Sequence, residues 1–84
     1  MPEISRFFGI VIKMYFKPDE HEPSHIHALY GDCMGAFNIR TGEMIRGDLS
    51  KKAQALVKEW LSLHREELET MWNTQRIGKL PPLE

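Results

Sequence analysis

The chain has 84 residues, 42% of them hydrophobic and 27% charged, with a formal net charge of −1. One domain of this size buries only a modest share of its surface, so it needs one well-packed pair of layers or a partner chain. The composition excludes a disordered, fibrous or membrane-spanning chain, and the charge balance excludes a protein that holds nucleic acid over its whole surface.

The first half alternates with a period of two. A short strand near residues 3–7 is expected first, with Gly9 as a bend or bulge. Over 10–16, Ile10, Ile12, Met14 and Phe16 share one face, and Val11, Lys13 and Tyr15 share the other, as in a half-buried strand. Lys17-Pro18-Asp19-Glu20 ends it, because Pro18 has no amide to donate to a ladder. The opening MPEISRFF lacks the pattern of a secretory leader, with Arg6 inside its apolar segment.

A second strand reads 25–30, with Ile26 and Ala28 facing one way and His25, His27 and Leu29 the other. Gly31-Asp32 is a turn signal. A third strand covers 34–40, with Phe37 and Ile39 opposite Ala36, Asn38 and Arg40, and Thr41-Gly42 leads to a short strand at 43–46. Turns this short make antiparallel neighbours. The single cysteine, Cys33, forbids an internal disulfide and suits a cytoplasmic protein; beside no recognisable Cys–His motif it reads as a small turn side chain.

The second half is helical. Ala53, Leu56, Val57, Trp60, Leu61, His64, Leu68, Met71 and Trp72 recur at spacings of three and four, one apolar stripe from about 51 to 75. Ser50 is the expected N-cap and Gly78 the expected stop, and Pro81-Pro82 prevents continuation. His64 lies on the stripe and reads as a core or boundary residue, while Arg65 and Glu69 are spaced for an i,i+4 pair. About 25 residues of helix span roughly 37 Å, more than a sheet of short strands covers. Either the helix breaks near Ser62–Arg65, or its end projects and buries Met71 and Trp72 on a partner.

The expected architecture is therefore α+β: a two-layer domain with an antiparallel sheet of three to five strands (residues 1–47) on one long C-terminal helix (48–76), followed by an extended tail (77–84). Ile10, Ile12, Met14, Phe16, Ile26, Ala28, Phe37, Ile39 and Ile45 should face the helix. No second helix is available for the other face, which should carry Lys13, Tyr15, His25, His27, Asn38, Arg40 and Arg46.

Three of the four histidines fall within HEPSHIH, residues 21–27. Three readings stay open. His25 and His27, two apart on one strand face, could join His21 around zinc or another divalent transition metal, a set resembling three protein ligands plus water. Alternatively His25 and His27, with Tyr15 beside them, are acid and base in metal-independent RNA cleavage, with Lys13, Arg40 and Arg46 on phosphate. In the third reading they are polar residues on a solvated or partner-covered strand. Whether the chain is an enzyme is left open by all three, and no cofactor follows from them beyond the metal of the first.

MPEISRFFGIVIKMYF, HEPSHIHALYG, the A-F-N-I-x-T-G-E segment, V-K-E-W and the closing P-P-L-E together resemble domain-of-unknown-function family 4160 across essentially the whole chain. Its members are small bacterial proteins, often encoded beside a second small protein and sometimes labelled toxin–antitoxin components. The resemblance thus implies a small protein partner and a toxin-like role; the polar sheet face suits RNA as a further partner, the projecting helix end suits a homo-oligomer, and no apolar run is long enough to span a membrane. His21, His25 and His27 occupy the family's histidine positions, which carry no agreed catalytic roles, and Ser24 stands where the family commonly has proline.

Overall fold

The computed structural model describes residues 3–15 and 24–83. Five strands, β1 (Glu3–Phe7), β2 (Ile10–Lys13), β3 (His25–Tyr30), β4 (Cys33–Asn38) and β5 (Met44–Gly47), precede one helix, α1 (Lys51–Thr74). The strands form one antiparallel sheet in the order β1-β2-β3-β4-β5. The expected α+β architecture is found, including the short first strand, whose turn to β2 is made by Phe8 and Gly9.

The alternation sorts the faces as expected for β2 and β3. Ile10, Ile12, Ile26, Ala28 and Phe37 are all at most 1% exposed and pack with Val57, Trp60 and Leu61 of the helix. Two irregularities alter the pattern elsewhere. A bulge in β1 sets both Ile4 and Ser5 against Ile12, so both are buried. A second irregularity separates Ala36 and Phe37, so that Met44, and not Ile45, pairs with Phe37 on the core side. Ile45, expected in the core, is 44% exposed.

The helix begins where Ser50 caps it: its Oγ accepts the Ala53 amide at 3.2 Å. It ends at Gln75, in the left-handed region, whose amide bonds to the Met71 carbonyl; the expected stop at Gly78 lies three residues later. A straight helix of 24 residues would measure about 36 Å, longer than the 30 Å longest axis of the molecule. The chain resolves this at His64, whose φ of −126° and ψ of 21° are not helical. The break falls inside the expected Ser62–Arg65 window and lets the second limb turn back, burying Leu68 completely and Met71 and Trp72 in part.

The tail also returns. The Leu80 amide donates to the Ile4 carbonyl at 3.0 Å, the Trp60 indole donates to the Pro81 carbonyl at 2.9 Å, and Leu83 is buried. The β1 edge is thereby covered, whereas β5 carries no further strand among the described residues.

Candidate functional site: an imidazole pair flanked by cations

The register builds one row straight across the sheet on the face that the core does not use. Glu3 pairs with Lys13, Lys13 with His27, His27 with Ala36, and Ala36 with Arg46. The next row toward the start of β3 holds His25 opposite Asn38. Paired residues share a face, so His25, His27, Lys13 and Arg46 lie on one surface, as parity predicts.

That surface is not open over the imidazoles. His25 is 5% exposed and His27 is 8% exposed, against the expectation of an uncovered pair. Their rings lie 5.2 Å apart between centroids. The Tyr15 ring meets His27 edge-on at 4.7 Å, and the Trp72 ring meets His25 at 5.0 Å. A continuous run, Tyr15–His27–His25–Trp72, therefore closes this end of the sheet. Trp72 reaches it because the break at His64 redirects the second limb. An aromatic edge and an indole face both favour close ring packing.

Arg40 leaves the row. β4 stops at Asn38, whose side-chain oxygen accepts the amides of Arg40 and Thr41 at 2.8 and 3.3 Å and bends the chain into a turn. Arg40 then donates through Nε to Glu69 at 3.0 Å. The other oxygen of Glu69 accepts from the Ser24 hydroxyl at 2.7 Å. One carboxylate of the second limb thus ties together the entry to β3 and the exit from β4. The expected Arg65–Glu69 pair is replaced by this arrangement, and Arg65 donates instead to the Ile39 carbonyl at 3.1 Å. Ser24 is 1% exposed. The sequence gives no sign that Ser24 and Glu69 meet at the site: Glu69 reads as a partner of Arg65 and Ser24 as a departure from proline, although a hydroxyl directly before a buried strand is a signal for the second.

Lys13 faces Glu3 across the β1–β2 pair and its charge acts on that carboxyl, while Arg46 stands at the far end of the row. Neither forms an ion pair among the described residues. Glu3, facing Lys13 across the β1–β2 pair, is turned to Arg6, with contacts of 2.9 and 3.2 Å. That hydrogen bond holds the carboxyl of the half-buried Glu3 below its ordinary range and raises the guanidinium of the exposed Arg6.

His21, the third member of the metal set, lies outside the described residues, as do Phe16, Asp19, Glu20 and Glu22. Among the described residues no three His, Cys, Asp or Glu side chains come together to hold an ion. Cys33 opens β4, half-buried against the core. No described helix is long and apolar enough to cross a membrane.

A family profile, described as a domain of unknown function (DUF4160), matches residues 9–73. The chain belongs to that family. The DUF4160 match spans β2 through nearly all of α1, including the row from Lys13 to Arg46, Glu69 and Trp72. No curated protein and no solved structure matches the chain.

Proposed function

We propose that this DUF4160 protein is the toxin-like component of a protein pair and acts by binding RNA through the His27 row. The observation that carries the RNA part is the cation at each side of the row. Lys13 and Arg46 lie three strand spacings apart, about 14 Å between backbones, on one face and outside any ion pair among the described residues, although Glu3 stands opposite Lys13. Cations so placed suit a phosphate backbone, which supplies most of the affinity in sequence-independent binding. The toxin-like role and the pairing rest on the family resemblance, not on any distance in the structure.

Binding is better supported than cleavage. A catalytic imidazole must come within hydrogen-bond reach of the 2′-hydroxyl. His25 and His27 are almost wholly buried between Tyr15 and Trp72, so in this conformation they brace the row from beneath. Arg40 gives its Nε to Glu69 and contributes at most its outer nitrogens.

Fluorescence anisotropy with a labelled single-stranded RNA, repeated over a salt series, tests the reading. Removing both charges, Lys13→Gln with Arg46→Gln, should reduce the slope of log affinity against log salt by about 1.4, or about 0.7 per phosphate contact. RNA binding that ignores the double substitution, or no binding at low salt, refutes it. Induction of the wild type and of the same double variant in cells tests the toxin part: growth arrest should follow only the wild type.

A further inference from the structure

Phe8 is an unexpected residue for its position. The β1–β2 turn has two central residues, Phe8 and Gly9, with φ of 49° and 81°. Positive φ at both positions is what a type I′ hairpin turn demands, and Asn, Asp or Gly supply it most readily. A phenylalanine there is strained, and its ring gains little from its own chain, being 60% exposed. A strained, exposed aromatic at a turn tip points from local conflict toward function.

The neighbourhood completes a built hollow. Tyr30, 47% exposed, lies over the turn so closely that a Cβ on Gly9 would stand 3.1 Å from its ring. Ile10, Ala53 and Leu56 line the same cavity of about 380 Å³, with Ser50 and Lys52 from the start of the helix. The lining contains no carboxylate. The first turn of α1 carries no acidic residue, and neither Lys51 nor Lys52 makes an ion pair among the described residues.

We propose that this hollow docks an apolar side chain carried on an acidic segment of a partner protein. The aliphatic or aromatic anchor sits on Ile10, Ala53 and Leu56 between the rings of Phe8 and Tyr30. Lys51 and Lys52 meet the acidic residues that flank it. The charge complementarity fixes the chemistry of the occupant: the one charged residue of the lining is a cation, Lys52, with Lys51 beside it at the start of the helix. Burying two exposed aromatics is the usual way a small interface concentrates its affinity. The site lies at the turn end of the sheet and is independent of the RNA reading, whose residues Lys13 and Arg46 it leaves untouched.

Two variants test it without disturbing the fold. Phe8→Asn removes the ring and gives the turn a residue that it prefers, so thermal stability should be kept or raised. Lys52→Glu reverses the rim. Random dodecapeptides displayed on phage are selected on the full-length wild-type protein, and the enriched peptides are measured on both variants. The expected result is enrichment of Leu, Ile or Phe flanked by Asp or Glu. Affinity should fall about ten-fold or more with Phe8→Asn, as loss of an aromatic anchor does, and several-fold with Lys52→Glu, with amide shifts confined to the Phe8, Tyr30 and Leu56 surroundings. Enriched peptides that are basic, or that bind Phe8→Asn equally well, overturn the proposal. So does a dimer in sedimentation equilibrium that Phe8→Asn dissolves, because the occupant would then be a second copy of this chain.

Discussion

The Glu69 carboxylate should hold the imidazole end of the sheet through Ser24 far more than through Arg40, although the two bonds look alike in length. The Ser24 hydroxyl bonds at 2.7 Å and belongs to a residue 1% exposed, so it has no water to fall back on. A hydrogen bond to a charged group in such a place contributes about 1.5–3 kcal/mol. Arg40 bonds at 3.0 Å, but its side chain is 67% exposed, and exposed ion pairs contribute about 0–1 kcal/mol. A double-mutant cycle separates them: Glu69→Ala combined with Ser24→Ala, and Glu69→Ala combined with Arg40→Ala, each measured by urea unfolding. The first coupling should be about 1.5 kcal/mol or more, and the second below about 1 kcal/mol and falling with salt. Glu69→Ala should also move the Trp72 indole resonance, since Glu69 and Trp72 share the second limb and Trp72 rests on His25. Equal couplings, or a larger one to Arg40, would refute the claim that burial decides which bond matters.

Three further perturbations follow from the same geometry. Leu68→Ala empties a fully buried position on the second limb and should cost about 2–5 kcal/mol in urea unfolding. Gly47→Ala should be poorly tolerated although the position is exposed, because at φ 119° its Cβ would collide with the Met34 carbonyl oxygen; a melting temperature within a degree or so of wild type would contradict this. Glu3→Gln probes the one carboxylate among the described residues whose folded pKa is lowered, through its hydrogen bond to Arg6. A depressed carboxylate contributes stability above its unfolded pKa and loses it as pH falls through the folded value. Any melting difference between wild type and Glu3→Gln should therefore be present at neutral pH and shrink below the ordinary carboxylate range; a difference that grows in acid reverses the sign and refutes it.

Much of the fold was legible because two periodicities barely overlap. A period of two put Ile10, Ile12, Ile26 and Ala28 on the core face, and a period near 3.6 put Val57, Trp60, Leu61 and Leu68 on the helix stripe. The errors arose where the ladder departs from one-to-one pairing. The irregularity between Ala36 and Phe37 exchanged Met44 for Ile45, and the Asn38 turn took Arg40 off its face. Parity is blind to both, since one extra residue inverts every side chain beyond it. The burial of His25 and His27 was illegible for another reason. It depends on where Trp72 arrives, and that depends on a single non-helical residue, His64, in the middle of a sequence with unbroken helical spacing.

His64 shows how that break is held. Its ring packs on Trp60 at 5.1 Å, and its Nδ1 stands 3.8 Å from the Glu67 carboxylate, too far for a hydrogen bond. Trp60 is in turn stacked on Phe7 at 5.8 Å and bonded to the tail at Pro81. A second aromatic run, Phe8–Phe7–Trp60–His64, thus leads from the strained turn of the proposed docking hollow to the kink that aims Trp72 at His25. The helix carries members of both runs, Trp60 and His64 of one and Trp72 of the other. A substitution that straightens residue 64, such as His64→Ala, favours continuous helix by propensity while withdrawing the ring from Trp60. Its expected signature is local: hydrogen exchange should quicken at His25 and His27 as Trp72 leaves, while Val57 and Leu61 keep their protection. Uniform loss of protection would mean that the kink stabilises the whole domain, and that the second limb is not a separable cover on the imidazole pair.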